Sequence, residues 1–512
     1  MPDWLKDAVF YEIYPSSFYD SNGDGIGDIE GIIQKLDYIK ELGCNALWIN
    51  PCFDSPFLDG GYDIKDYKKV ADRYGTNEDL VRLFQAAHEK SIHVLLDLVP
   101  GHTSDQHPWF KESSKSTPNE YSGRYIWTNH AFEGIGGHPY ISGMTERSGA
   151  YMLNFFASQP ALNYGWGYRD KDWMSAPDSK EAIATKEALK DIMRFWLDLG
   201  CDGYRVDMAD SLVKNDDDNK SYTCAIWRDI RNMLDKEYPD AALVAEWSNP
   251  YQAILGAGFH MDFYLDHPHN GYNTLLRDYE HHQEDNSFFR AEGQGDIARF
   301  LDDYLPKYKA SKEKGYISMF TCNHDTPRPA RTLSDRELKL AYAFIFTMPG
   351  VPFLYYGDEI GMRYLNVETK EGGYHRTGSR TPMQWDKNEM NMGFSKADPS
   401  QLYLPVDQNG PCVEKQKNDS NSLWNVTKDI ISLRHRYSDL QADGDFEVLY
   451  GYKQFIVYKR GHLIIALNTS KQVKKWHTSN KVLKTVYEVG DYKMTQDMLY
   501  VNGQSFVVME EE

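Results

Sequence analysis

The sequence predicts an α/β fold, a (β/α)8 TIM barrel carrying an inserted subdomain and a C-terminal antiparallel β-sandwich domain. Three observations predict it. Short apolar runs alternate with amphipathic stretches through most of the chain, the pattern of βα units. About a hundred residues rich in Gly, Ser, Asn and aromatics separate the third run from the fourth, too many for an ordinary connection. Beyond residue 437 the pattern changes to short alternating runs, FEVLY, QFIVYKR, HLIIALNTS, TVYEV and SFVVME, as in an antiparallel β domain.

In order, the candidate strands are AVFYEI (8–13), NALWI (45–49), HVLLDLV (93–99), GYRVD (203–207), ALVAE (242–246), MDFYL (261–265), YISMF (316–320) and VPFLYY (351–356). Helical patterns fall between them, among them 28–43, 77–91 and 179–200, and another runs over 421–437. The first and third end on a glycine, a common helix C-terminus. Eight strands each followed by a helix place the chemistry at the C-terminal strand ends. The expected division is barrel over 1–101, inserted subdomain over 102–170, barrel again over 171–438 and the β domain over 439–512.

Composition narrows the function. With 76 acidic against 56 basic residues the formal net charge is −20, which disfavours nucleic acid and other polyanions as partners. Aromatic residues reach 14%, suited to a pocket that stacks on sugar rings. The six cysteines are scattered without a C-x-x-C pair, so reduced buried thiols and a cytoplasmic location are expected. The N-terminus has no signal-peptide pattern and no stretch is long and apolar enough to span a membrane. A monomer or weak oligomer is expected.

Polar groups collect at the predicted strand ends: His102 after strand three, Arg205 and Asp207 on strand four, Glu246 at the end of strand five, and Asn323, His324 and Asp325 after strand seven. Three carboxylates on one rim repel each other and would destabilise a mere scaffold. Retaining glycoside hydrolysis needs such a set, one carboxylate attacking the anomeric carbon and one protonating the departing oxygen. Arg205 beside Asp207 is expected to hold that aspartate ionised as nucleophile, while Glu246, next to Trp247 and near two aspartates, keeps its proton as acid. Asp325 would stabilise the positive transition state, and His102 and His324 would donate to sugar hydroxyls.

GYRVD, AEW, FTCNHD, GVPFLYYGDE (350–359) and SRTPMQWD (379–386), in that order, resemble the signature regions of the α-amylase family of glycoside hydrolases. NGDGIGD and RTPMQWD resemble its oligo-1,6-glucosidase and α-glucosidase branch. The resemblance implies an exo-acting enzyme that cleaves α-1,4 or α-1,6 glucosidic bonds of short oligosaccharides through a covalent glucosyl intermediate. It also implies sugar-binding roles for Asp59 and Tyr62 in DGGYD, for Arg376, and for Phe155 and Gln159 in FFASQPALN. A charged Asp59–Arg376 pair closing the pocket would favour exo action. A transglycosylase or isomerase of the trehalose synthase type, an α-amylase, and a silent binding or transporter-subunit relative are the alternatives.

Asp20, Asn22, Asp24, the Ile26 carbonyl and Asp28 offer oxygens at a spacing suited to a hard cation, with Gly25 at the sharp turn, as in the first nine positions of an EF-hand. Position twelve would be a glutamate and is Gly31. The branch binds Ca2+ or Mg2+ here, and one structural Ca2+ is expected. Gly101 and Ala161 stand where amylases place ligands of a second, inter-domain calcium, so that site is expected to be missing. Met208, which follows Asp207, matches neither the Val of α-1,6 specialists nor the Thr or Ala of α-1,4 enzymes.

Overall fold

In the computed structural model the eight predicted strands all form: β1 (Phe10–Ile13), β2 (Ala46–Ile49), β3 (His93–Leu98), β4 (Gly203–Val206), β5 (Ala242–Ala245), β6 (Met261–Phe263), β7 (Tyr316–Ser318) and β8 (Phe353–Tyr355). The structure describes all residues except 134–136, 266, 268–269, 278–285, 373–375, 479–481 and 512. The strands pair in parallel in the order β7-β6-β5-β4-β3-β2-β1-β8. A parallel bridge from Phe320 to Phe353 spans the remaining gap, so the sheet curls almost to closure. Nearly every strand residue is buried, because helices cover the outside and side chains fill the inside. That burial is why the strands read as apolar runs.

Most of the strands stop one or two residues short of the sequence runs, and on the fourth and fifth strands the residue left over is a cavity carboxylate. Asp207 and Glu246 each lie one position past the ladder, free to turn toward the rim. Register decides a second pair: Asp97 of β3 stands opposite Arg205 of β4.

The helices form at Asn77–Glu89, Lys180–Asp198, Ser221–Glu237, Ile297–Ser311, Asp335–Thr347 and Leu423–Arg436. Thr76 and Asp79 make a reciprocal capping box at the first of these, which fixes its start. The predicted helix over 28–43 is instead two, Ile29–Gln34 and Leu36–Leu42, broken at Lys35 (φ −104°, ψ 5°). The expectation of a full helix after every strand fails after β5. There one π-helical stretch, Tyr251–Gly256, makes the connection, because the residues up to Asn249 are spent on the rim loop that carries Glu246.

Between β3 and the helix Lys180–Asp198 the chain leaves the barrel. It forms a short helix (Pro108–Ser113), a hairpin (Tyr140–Ser142 with Ala150–Met152) and isolated bridges including His102 to Ala161. A small apolar cluster of Ile126, Met152, Ala161, Trp166 and Met174 holds it together.

The C-terminal region is two antiparallel sheets, one of five strands and one of three. Three of its strands, Lys474–His477, Tyr492–Met494 and Met498–Val501, have no clear counterpart in the alternating runs. The strand Leu463–Asn468 is buried along its whole length: Leu463, Ile465 and Leu467 join the barrel core, and Ile464 and Ala466 face Leu499 and Val501 of the smaller sheet. A strand covered on both faces loses the period-two alternation. All six cysteines are buried and free, and among the described residues no helix is long and apolar enough to cross a membrane.

Candidate active site

At the C-terminal face of the barrel the strand-end residues converge on a cavity of about 310 Å3 lined by Asp59, Tyr62, His102, Phe155, Phe156, Asp207, Met208, Glu246, Asp325 and Arg376. Arg205 lies buried beneath them. Its guanidinium contacts Asp97 at 3.0 Å, Asp207 at 3.1 Å and Glu246 at 2.8 Å. The backbone at Met208 turns left-handed (φ 41°, ψ 50°) immediately after Asp207, and its N–H donates to Glu246 at 2.9 Å. This turn locks the two carboxylates to one another.

Arg205 does contact Asp207, but it is shared with Asp97 and Glu246. One positive charge faces three carboxylates, so its effect is divided. Burial, with the Glu246 charge second, pushes the Asp207 carboxyl well up against the opposing pull of Arg205.

Asp325 has the opposite surroundings. Arg376 and Arg380 donate to the same oxygen, Oδ1, at 3.1 and 2.9 Å, and His324 Nε2 lies 3.2 Å from the other oxygen. Burial opposes ionisation, but His324 and the two arginines together hold Asp325 well below the usual carboxylate range. His324 is itself pushed up to about 9, the penalty of burial being outweighed by Asp325 and Glu12. A histidine raised in the folded state contributes stability that is fully present below its ordinary value of 6.5 and is lost as pH rises through about 9. The melting temperature is expected to fall between pH 7 and about pH 9.5, and to fall less in His324→Asn. Equal slopes in denaturation scans of the two proteins would refute this.

Arg376 also reaches Asp59 at 2.6 Å, and Gln159 donates to the other Asp59 oxygen at 2.8 Å. Gln159 is fully buried and holds Asp59 from behind, whereas Phe155, 51% exposed, stands at the mouth. The Tyr62 ring stacks on His324 with centroids 5.3 Å apart, and its hydroxyl lies 2.7 Å from His324 Nε2 and 3.0 Å from Asp97. The ring nitrogens of both histidines, expected to face sugar hydroxyls, are engaged by protein groups. His324 meets Tyr62, Asp325, Glu12 and Asn50, while His102 meets Asn154 and the Tyr62 carbonyl.

Sequence reasoning missed Asp97, Glu12, Asn50, Asn154 and Glu371. Asp97 and Glu12 had a legible signal, a charge inside an otherwise apolar strand run. Glu371, which accepts from Tyr14 at 2.6 Å and Arg380 at 2.7 Å, sits on a loop without periodicity.

The Asp20 loop lies apart from this cavity. Asp20 accepts from the N–H groups of Gly23 and Gly25 and from Ser395, Asn22 from Asp24 N–H, and Asp24 from Ile26 N–H. Gly25 takes φ +93°, and Asp28 caps the following helix by accepting from Gly31 N–H at 2.6 Å. A Cβ at position 31 would meet the Tyr19 carbonyl at 2.0 Å, so the glutamate of a full EF-hand has no room. Among the described residues no group of three His, Cys, Asp or Glu side chains is arranged to hold a metal ion. The loop's donors are a mixed set of carboxylate, amide and backbone oxygens.

The catalytic-domain profile of α-amylase matches residues 12–443, which takes in the barrel, the insertion and every lining residue of the cavity. The chain belongs to the α-amylase family of glycoside hydrolases. Within that family it is 35% identical to the trehalose synthase/amylase TreS of Mycolicibacterium smegmatis, over 88% of this chain and 79% of that one. It is 31% identical to the oligo-1,6-glucosidase of Parageobacillus thermoglucosidasius, over 95% and 94%. Among solved structures it resembles a MutB mutant in complex with the substrate sucrose, with a TM-score of 0.83 and 25% identity across the whole of both chains. An α-amylase family barrel with its carboxylates at the strand ends is thus established, and the family implies an oligosaccharide substrate.

Proposed function

We propose that this α-amylase family enzyme is a retaining, exo-acting α-glucosidase that removes glucose from short oligosaccharides through α-1,4 or α-1,6 bonds. The observation that carries the reading is the Asp59–Arg376 ion pair, 2.6 Å long, set across a cavity of about 310 Å3. That volume is at the small end of ligand pockets. A small cavity walled by a charge pair suits a terminal sugar better than the interior of a polymer.

In the proposed reaction the Asp207 carboxylate attacks the anomeric carbon as the glycosidic C–O bond breaks, and Glu246 gives its proton to the departing oxygen. Glu246 then takes a proton from water, which attacks the same carbon and releases Asp207. Both carboxylates are held by one guanidinium, which supports the close spacing of retaining enzymes, about 5–5.5 Å. Asp325, kept ionised by His324 and two arginines, faces the positive charge that develops on the sugar ring. Tyr62, Phe155, Asp59 and Arg376 would contact the glucosyl unit, with Gln159, Arg205, His102 and His324 holding them.

A second reading is favoured by the likeness to TreS and MutB: the glucosyl group passes to a sugar rather than to water, isomerising a disaccharide. Chromatography of products from maltose, isomaltose, trehalose, sucrose and maltoheptaose, each incubated separately, tests both. Stepwise release of glucose from one or two of them supports hydrolysis. New disaccharides replace that reading with the second, and inertness toward all five rejects both.

The proposal includes one structural Ca2+ held by Asp20, Asn22, Asp24, the Ile26 carbonyl and Asp28, an all-oxygen set of the kind hard cations take, with Mg2+ as the alternative ion. Bound there, the ion would tie the loop to the first barrel helix, because Asp28 is also its cap. Thorough chelation is expected to lower the melting temperature and readdition of Ca2+ to restore it. An unchanged midpoint after complete metal removal would count against the ion. The six buried free thiols suit a reducing compartment, and the cytoplasm is part of the proposal.

A further inference from the structure

Behind the cavity, four residues form a hydrogen-bonded chain whose polarity follows from the chemistry of its ends. The Lys214 ammonium donates to the Ser211 carbonyl at 2.7 Å and to Asn154 Oδ1 at 3.4 Å. Asn154 Nδ2 lies 3.1 Å from His102 Nδ1, and His102 Nε2 lies 3.1 Å from the Tyr62 carbonyl. An ammonium only donates and a carbonyl only accepts. The Asn154 amide must then turn its oxygen to Lys214 and its NH2 to the ring. His102 accepts at Nδ1 and carries its proton on Nε2, where the Tyr62 carbonyl receives it. Burial lowers His102 to about 4, which keeps the ring neutral, as this arrangement requires.

The amide reaches its seat because residue 101 is glycine. An ideal Cβ there would stand 2.7 Å from Asn154 Nδ2. Space that a side chain at 101 would fill is filled instead by an amide arriving from the inserted segment. The chain thus joins the loop after β4, the insertion and the loop bearing Tyr62, whose hydroxyl meets Asp97 and His324 beside the cavity.

We propose that Asn154 is a positioning residue: by fixing the tautomer of His102 it sets the Tyr62 main chain, and with it the aromatic ring and hydroxyl presented to the bound sugar. The proposal rests on the sugar-pocket reading given above. It assigns to Asn154 and Gly101 together a single function, the filling of one polar seat.

Asn154→Leu keeps the branched shape and removes both hydrogen bonds. It is expected to raise KM for the cleaved disaccharide on the order of tenfold, with a smaller change in kcat, as a displaced binding ring would. Gly101→Asn alone should also lose activity, because its Cβ meets Asn154. Gly101→Asn combined with Asn154→Gly returns an amide to the seat from the other side and should recover most of the loss. Selective 15N labelling of histidine in the wild-type protein should show His102 protonated at Nε2. An unchanged KM in Asn154→Leu, a double variant no better than either single one, or an Nδ1-protonated His102 would each overturn the proposal. If Asn154→Leu fails to fold, the ring spectrum of the wild type decides. Should the wild type act on no α-glucoside, the sugar-pocket reading fails by that result, while the tautomer still reports on the hydrogen-bonded chain.

Discussion

Asp207→Asn is expected to lower kcat on cleaved glucosides by a factor on the order of 10^4 or more, since the attacking group is lost while the binding groups remain. The fold should survive, because amide and carboxylate share a shape and the Arg205 contact to Asp97 is independent of position 207. The sharper form of the experiment uses Asp207→Gly with an activated glucoside and added azide. Azide enters the emptied space, attacks the anomeric carbon from the face Asp207 would have used, and the aryl or fluoride group leaves with the bonding electrons. The expected product is β-glucosyl azide, the inverted configuration. An Asp207→Asn enzyme of near wild-type rate, or an α-configured azide, would remove Asp207 from the nucleophile's role.

Arg205→Leu is expected to have the largest effect on stability, about 3–5 kcal/mol, the cost of removing one partner from a buried ion cluster. Three carboxylates would then converge with no cation among them, in a place where Arg205 and Asp97 are almost wholly buried. The sign with pH is determined. Without the guanidinium the folded-state carboxyls titrate higher than in the unfolded chain, so the folded protein binds more protons and regains stability as pH falls. The deficit against wild type should be larger at pH 8 than at pH 5 in denaturant titrations. Equal stability at pH 8 would show that the cluster contributes nothing to the fold. Arg205→Lys should rescue little, because a single ammonium cannot present the planar fork that spans Asp97, Asp207 and Glu246.

Much of this site was legible in advance, and the reason is particular to barrels. Asp207 and Glu246 close apolar runs and Asp325 follows one in the next loop, and buried parallel strands announce themselves as such runs, so a charge at or beyond the end of a run is a rim candidate. Asp97 and Glu12 carry the same kind of signal, a charge within an apolar strand, but each lies inside its run rather than at the end. GYRVD shows an arginine two residues from an aspartate, and adjacency in sequence predicts that Arg205 serves Asp207. Register then placed Asp97 opposite Arg205, and the loop after β5 brought Glu246 to the same guanidinium. Sharing one guanidinium among three carboxylates weakens its hold on Asp207, whose carboxyl burial pushes up.

The sequence by itself determined the number and order of the barrel strands, the insertion after the third, the antiparallel character of the C-terminal region and the identity of the rim carboxylates, because these depend on hydrophobic periodicity and on the residues that interrupt it. Only the tertiary structure decided which charges share partners, that Gln159 stands behind Asp59 rather than in the pocket, and that Asn154 fills the seat over Gly101. Asp59 and Arg376 are 317 residues apart and meet at 2.6 Å. Their loops have no period to read, and the direction of a side chain on such a loop is set by what it packs against once the barrel has closed.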